Sequence, residues 1–145
     1  MQRFFYFSLM IKQNEIGLPA MRKGFYKIDH IVREAIGPLP ETGLINVFVK
    51  HTSAALMLNE NADPDVQTDL DTLLDKMAPE SAPFYQHTME GPDDMPAHFK
   101  TAVLGPSVTI PVSKHQLNLG VWQSLYFCEF RNYGGKRKIV ITLYY

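Results

Sequence analysis

The chain has 145 residues, of which 46% are apolar and 20% are charged, and its formal net charge is −1. This length and composition are those of one globular domain, so we treat residues 1–145 as a single domain. Charges of both signs are spread along the chain, which argues against a nucleic-acid partner or a membrane surface. The single cysteine, Cys128, excludes an intrachain disulfide and a thiolate metal cluster. Residues 1–10 lack the pattern of a signal peptide and no apolar run has membrane-spanning length, so we expect a cytoplasmic protein.

Strand patterns and one short helix occupy the first third of the chain. Residues 3–12 and 24–28 are predicted strands, and Asp29 begins a predicted helix that the Gly-Pro-Leu-Pro run at 37–40 ends. The clearest strand is 44–53, in which Ile45, Val47 and Val49 share one face. Continuing this alternation places His51 and Ser53 on the same inward face.

Two longer helices and several strands follow. Asp63-Pro64 has the pattern of an N-cap followed by a first helical residue, and the apolar spacing predicts a helix that ends near Ala78. Residues 84–89 suggest a short strand, and a second helix is predicted from Asp93 or Asp94 to Gly105.

The last third is predicted to consist of strands at 107–112, about 116–131 and 136–145, with a hairpin connection at 132–135. Within 121–130 the alternation places Trp122 in the core and Gln123 with Glu129 on the opposite face. The whole pattern predicts an α+β fold of mostly antiparallel sheets, arranged as a sandwich, with two main helices packed on them.

Three of the five histidines occupy places that suit a site. His51 ends a strand face that points inward, His87 lies in a short strand or loop, and His98 lies in the first turn of a predicted helix. A helix N-terminus favours a neutral imidazole, which is the form that binds a metal or accepts a proton. Three imidazoles and a water would form an open metal site, with Glu60 or Asp94 as a base. The alternative is three unrelated, hydrogen-bonded histidines.

Other polar residues are candidates for binding a substrate. Asn59 and Glu60 lie in a polar run before the Asp63 cap, and the cap alone does not account for them. Arg131, Lys136 and Arg137 flank the last hairpin, where they would bind phosphate or simply face solvent.

Several motifs together resemble the YjbQ-like family, whose members are described as secondary thiamine-phosphate synthases or left without an assigned function. The matching segments are His51-Thr52-Ser53-Ala54-Ala55-Leu56, Asn59-Glu60-Asn61-Ala62-Asp63-Pro64, Ala97-His98, Leu104-Gly105-Pro106-Ser107, Ile110-Pro111-Val112, Leu119-Gly120-Val121-Trp122-Gln123 and Glu129-Phe130. The resemblance covers about residues 15 to 143.

The resemblance implies a homotrimeric α+β protein with a polar pocket. It implies His51, His87 and His98 as pocket histidines, which we expect to bind a metal, and we expect His51 and Glu60 to be the catalytic residues. It places Ser53, Asn59, Glu60, Trp122 and Gln123 at the pocket or its wall. Of these we expect Ser53, Asn59 and Gln123 to bind substrate, and we add Arg131 and Arg137 as phosphate-binding candidates. The three histidines lead us to expect a divalent metal, zinc or magnesium, as cofactor, and the family's activity leads us to expect a small phosphorylated molecule as partner.

Three positions depart from the family pattern. Val121 stands where a threonine is usual, residues 90–96 are less Asn-rich than the family's approach to its histidine, and the turn at 132–136 is longer. The longer turn weakens the case for phosphate binding by the arginines that flank it.

Two functions of different kinds follow from these residues. The first is a small-molecule enzyme with weak thiamine-phosphate synthase activity on phosphorylated heteroaromatic substrates. The chain has no aspartate-rich diphosphate–magnesium motif, which disfavours efficient catalysis of that reaction. The second is a trimeric module that binds a metal or an anion without turnover.

Overall fold

The protein consists of two antiparallel sheets and three helices, in a computed structural model that describes residues 8–145. The first sheet has the strand order β1-β8-β3-β5-β6 and the second has the order β2-β7-β4. The strands are β1 Ile11–Leu18, β2 Gly24–Lys27, β3 Thr42–Val49, β4 Ala54–Glu60, β5 Ser107–Ser113, β6 Gln116–Leu117, β7 Gln123–Glu129 and β8 Arg137–Tyr144, and the helices are α1 Asp29–Ile36, α2 Pro64–Met77 and α3 Asp94–Leu104. No helix within residues 8–145 is long and apolar enough to cross a bilayer.

The first sheet buries one face of β3, as the alternation predicts. Ile45, Val47 and Val49 are buried, whereas Leu44 and Phe48 on the other face are exposed. The strand lies between β8 and β5, so both of its edges are paired. The buried face forms the main core with residues of α1, β7 and β8.

The second sheet is covered on both faces. Residues 124–129 of its central strand, β7, are all buried. Leu125 and Phe127 belong to the core between the two sheets, whereas Tyr126 and Cys128 belong to a second cluster that includes Leu74 of α2 and Ala97 of α3. One face of β7 therefore packs against the first sheet, and its other face packs against α2 and α3.

The predicted starts of the two longer helices are confirmed. Asp63 Oδ1 accepts a hydrogen bond from the Asp65 amide at 2.9 Å, and Pro64 is the first helical residue of α2. The second long helix, α3, begins at Asp94, has Pro96 in its first turn, and is followed by Gly105. It packs on β4, where the Leu56 amide donates to the Gly105 carbonyl.

Three strand predictions are wrong or partly wrong. The predicted strand at 44–53 ends at Val49, because residues 50–53 carry the chain across to the second sheet. Residues 84–89 form turns and irregular structure, with a turn bond from the Tyr85 amide to the Ala82 carbonyl. Residues 3–7 of the predicted strand at 3–12 lie outside the described residues, and the observed first strand begins at Ile11 because its pairing with β8 begins there, at Tyr144.

The prediction that Trp122 lies in the core is also wrong. Trp122 is 64% exposed, because the chain turns at residues 120–123 and β7 begins only at Gln123. The turn is closed by a bond from the Gln123 amide to the Gly120 carbonyl at 2.9 Å. The alternation of apolar residues at 122–130 therefore begins with a residue, Trp122, that precedes the strand.

Candidate metal site

The crossing between the two sheets, residues 50–53, positions His51 at the edge of the site. His51 Nε2 accepts a hydrogen bond from the Lys138 amide at 2.8 Å. A neutral ring that accepts at Nε2 carries its proton on Nδ1. Burial lowers the pKa of His51, and the charge of Arg137 adds to this effect. His51 is therefore a neutral imidazole of defined tautomer.

The first two turns of α3 supply Asp94 and His98, which lie on one face of the helix because they are four residues apart. His98 is one turn deeper in the helix than we expected. Its Nδ1 donates to the Thr52 carbonyl at 2.9 Å, and its Nε2 lies 3.1 Å from Asp94 Oδ2. A proton on Nε2 would make this contact a hydrogen bond, and a bound metal ion would take the place of that proton.

The irregular segment before α3 supplies His87 and Glu90. His87 Nε2 lies 2.7 Å from Asp94 Oδ2 and 3.1 Å from Glu90 Oε2. The hydrogen bond with Asp94 raises the pKa of His87, and the charge of Glu90 adds to it. The ring centroids of His87 and His98 are 5.4 Å apart.

One nitrogen or oxygen atom from each of His87, Glu90, Asp94 and His98 lies within 4.8 Å of the other three. We call these four residues the His–carboxylate cluster. Burial alone would raise the pKa of Asp94, but the hydrogen bond with His87 and the charge of Arg131 outweigh it, so this pKa is lowered. The donor set of two imidazoles and two carboxylates fits a zinc-type ion, since zinc binds nitrogen as readily as oxygen.

Two concavities flank the cluster. One, of about 600 Å³, is mainly apolar and includes both His98 and His51; its other walls come from residues 48–50, Thr52, Thr101, Ala102 and Pro106. We call it the His51 groove. The other, of about 530 Å³, lies on the His87 side and is lined by residues of the irregular segment. The cluster is therefore reachable from two sides by a small molecule.

The structure brings some of the candidate residues together and separates others. His87 and His98 share the cluster, whereas His51 lies outside it and shares the groove with His98. Glu60 is at the opposite end of β4, where it pairs with Gln123 and follows Asn59. Seven residues of extended chain separate Ser53 from Glu60, a span of roughly 20 Å at ~3.3 Å per residue. Within one chain, Glu60 and His51 therefore do not meet.

The two arginines that we expected at a phosphate are both paired with carboxylates. Arg137 is buried, donates to both oxygens of Glu129 at 2.7 Å, and donates to the Ser53 hydroxyl at 3.0 Å. Arg131 donates to Asp94 and, at 3.1 Å, to Asp93 Oδ2. A Cβ at Gly134 would lie 2.3 Å from Arg137 Nη2, so the buried pair is packed directly under a glycine.

Glu90 was not among the residues that the sequence suggested, and Asp94 was named only as a base. Asp94 could have been found from its spacing to His98, but Glu90 could not have been found from its spacing to His87: His87 and Glu90 are three residues apart, and Asp94 and His98 are four apart. The second pair is a helical spacing at a helix start. The first pair lies in irregular structure, where spacing has no fixed meaning.

Comparison with known proteins decides the family. Residues 14–145 match the family described as UPF0047 protein YjbQ-like. The chain belongs to this family. It is 44% identical to the UPF0047 protein YjbQ of Salmonella typhimurium over 133 residues, which are 90% of this chain and 96% of that protein. It is 45% identical to a UPF0047 protein of Synechocystis over 101 residues, which are 70% of this chain and 69% of that protein.

Solved structures agree with the fold. A YjbQ/UPF0047 family protein of Clostridium acetobutylicum superposes with a TM-score of 0.79 at 35% identity, covering 90% of this chain and 98% of that one. A protein of unknown function from Sulfolobus solfataricus superposes with a TM-score of 0.82 at 21% identity, covering 94% and 99%. The resemblance read from the motifs and the α+β antiparallel fold are both confirmed.

Proposed function

We propose that this chain is a metal-dependent protein that acts on a small organic molecule, and that Zn²⁺ is the ion. The observation that carries the proposal is the convergence of His98 Nε2 and Asp94 Oδ2, which lie 3.1 Å apart, with His87 and Glu90. The Thr52 carbonyl, by accepting from Nδ1, orients the ring in the way that metal-binding histidines are usually oriented. Two imidazoles favour zinc over magnesium, which prefers oxygen ligands and retained water.

The metal, when bound, would supply Lewis-acid polarisation or a water of lowered pKa. The protein's own contribution is orientation. His51 has a protonated Nδ1 and lines the groove that reaches His98, so it is placed to donate to an acceptor atom on a bound molecule. The largely apolar wall would hold the organic part of that molecule. His51 is thus proposed as a substrate-binding residue rather than a metal ligand.

Thiamine-phosphate synthesis is the more specific candidate, and the family resemblance is its support. That reaction releases pyrophosphate and needs cations around the departing phosphates. Arg131 and Arg137 are both compensated by carboxylates, which reduces what they can offer to a phosphate. A catalytic role for Glu60, and contacts from Asn59 or Gln123, would need a second copy of the chain. The trimer that the family resemblance implies would supply that second copy.

The alternative is a trimeric module that holds a metal or anion without turnover. Zinc binding and turnover must therefore be measured separately. Protein purified without a histidine tag, and freed of metal with a chelator, is titrated with Zn²⁺ in a calorimeter. We expect one ion per chain, and a loss of more than about 100-fold in affinity in His98→Ala and Asp94→Asn. His30→Ala is the matched control, because His30 is exposed and outside the cluster.

Turnover is then followed as pyrophosphate release from a pyrimidine diphosphate and a thiazole phosphate. If zinc binds and the reaction proceeds, His51→Ala should raise KM with zinc affinity unchanged. Zinc binding with no turnover favours the module. Wild-type protein that binds no zinc, or a His98→Ala variant that binds it as tightly as wild type does, contradicts the metal proposal itself.

A further inference from the structure

Arg131 holds the part of the His–carboxylate cluster that faces away from the histidines. Its Nη1 donates to Asp94 Oδ1, its Nε donates to Asp93 Oδ2 at 3.1 Å, and its Nη2 donates to the Glu90 carbonyl at 2.8 Å. One guanidinium thus contacts three positions of the stretch 90–94, which carries two of the four cluster residues. Asp94 itself is almost fully buried, at 2% exposure.

The two oxygens of Asp94 are consequently divided. Oδ1 is bound by Arg131, and Oδ2 lies 2.7 Å from His87 Nε2 and 3.1 Å from His98 Nε2. A carboxylate held in this way presents a single oxygen to an ion. A free carboxylate can present both, which larger, oxygen-preferring ions such as Ca²⁺ use to raise their coordination number.

We propose that Arg131 is the positioning residue that restricts Asp94 to one metal-binding oxygen and thereby makes the site selective for a small ion of low coordination number. This inference rests on the proposed metal site. It goes further, because it assigns ion selectivity to a residue that is not itself a ligand. Partners that orient ligands in this way commonly change metal affinity by about 10–100-fold when they are removed.

Arg131 is itself held in place from the core. Its amide donates to Glu129 Oε1 at 3.0 Å, and Glu129 is fully buried and paired with Arg137. The next amide, that of Asn132, donates to Asp93 Oδ2 at 2.9 Å. The backbone that carries the Arg131 guanidinium is therefore fixed, so the planar arrangement of its N–H donors determines how the Asp94 carboxylate is oriented.

A purely electrostatic role for Arg131 makes the opposite prediction. A positive charge next to a ligand repels a divalent ion, so removing it would strengthen binding of every divalent ion. If Arg131 acts by positioning Asp94, removing its guanidinium weakens Zn²⁺ binding and leaves Ca²⁺ binding unchanged or stronger. The ratio of the two affinities therefore distinguishes the roles, and a simple loss of folding would not reverse that ratio.

The experiment measures Zn²⁺ and Ca²⁺ affinity of full-length Arg131→Gln and Arg131→Lys by competition with a chromophoric chelator. Lys136→Gln is the matched control, because Lys136 is exposed and lies in the same turn. Thermal unfolding of the metal-free proteins checks that each variant folds. Visible absorption of the Co²⁺ forms reports coordination number, since four-coordinate Co²⁺ absorbs far more strongly than six-coordinate Co²⁺.

For Arg131→Gln we expect about a 10–100-fold loss in Zn²⁺ affinity, a zinc-to-calcium ratio at least about tenfold lower, and weaker Co²⁺ bands. Arg131→Lys keeps the charge but not the fork, so its ratio should also fall. Asp93→Asn, which weakens the grip on the guanidinium from one side, should give a smaller change in the same direction. Tighter Zn²⁺ binding in Arg131→Gln, or an unchanged ratio, would overturn this role while leaving the metal site standing. Absence of Zn²⁺ binding in wild type would overturn both.

Discussion

His51 and His98 are each fixed by the backbone, but through opposite ring nitrogens. His98 gives its Nδ1 proton to the Thr52 carbonyl, whereas His51 accepts at Nε2 from the Lys138 amide. The first arrangement directs Nε2 at the cluster, and the second leaves a proton on the other nitrogen of the ring. Two histidines on one groove are thus suited to different tasks, one to bind an ion and one to donate to a ligand.

Thr101, one turn after His98, carries a polar atom in an unfavourable place. Within the described residues its Oγ1 is buried and has no hydrogen-bond partner. Valine has nearly the same shape, so Thr101→Val removes the cost of the unpaired hydroxyl. We expect the free energy of unfolding to rise by about 1 kcal/mol in urea denaturation.

Thr142 provides the matched control for this substitution. Its Oγ1 accepts a bond from Gln13 Nε2 at 2.7 Å, so Thr142→Val should lower stability instead. Equal destabilisation by both substitutions would show that the Thr101 hydroxyl does have a partner in solution.

At the scale of the elements, α2 is held to the protein by charge as much as by apolar packing. Leu74 is the one buried residue of α2, and Leu73 and Met77 are exposed. Near its end, Asp75 binds both Lys23, just before β2, and Lys100 of α3. Lys100 is 3% exposed, so its charge depends on this carboxylate for compensation.

Asp75→Asn should therefore destabilise the protein by about 1–3 kcal/mol near neutral pH. Burial alone would raise the pKa of Asp75, but the bonds from Lys100 and Lys23 outweigh it and lower this pKa below 3.8. A carboxylate whose pKa is lower in the folded chain than in the unfolded chain stabilises the fold at pH values above its ordinary pKa. That stabilisation is lost as the pH falls through the folded-state pKa. The difference between wild type and Asp75→Asn should thus shrink as the pH falls below the ordinary pKa of an aspartate and vanish in strong acid.

Urea denaturation across the pH range tests this prediction. Asp71→Asn is the control, because the Asp71 carboxylate pairs with Lys23 at 3.2 Å and the variant leaves the Asp75–Lys100 pair intact. A deficit in Asp75→Asn that persists undiminished in acid would mean that it comes from packing rather than from charge.

The same elements show what the sequence could and could not predict. The Asp63 cap, the start of α3 and the buried face of β3 follow from local chemistry, and they were predicted correctly. At residues 50–53 the chain leaves the first sheet, and the next strand, β4, pairs in the second sheet. The alternation of apolar residues cannot predict this change of sheet, because the strands before and after it are both apolar. The pairing of His87 with Asp94 depends on an irregular segment, for which no periodicity applies.

At the scale of the whole molecule, the cluster joins a regular and an irregular part of the chain. Asp94 and His98 stand on α3, which packs on the second sheet, whereas His87 and Glu90 come from the irregular stretch between α2 and α3. An ion bound by all four residues would tie this stretch to the sheet. Metal affinity should therefore also appear as stability, because the unfolded chain does not hold the four residues together.

We expect Zn²⁺ at about 100 times its dissociation constant to stabilise the protein by about 2.7 kcal/mol, which raises the Tm by about 5–10 °C for a chain of this size. Protease cleavage near exposed Phe84 and Met89 should slow at the same zinc concentration, since these residues lie in the stretch that the ion would tie down. Scanning calorimetry and mass spectrometry of the fragments measure the two effects. Glu60→Gln should respond to zinc as wild type does, because Glu60 lies at the far end of β4, whereas His98→Ala should show neither effect. A Tm that rises while cleavage at 84–89 continues at the same rate would place the ion on α3 without His87 and Glu90.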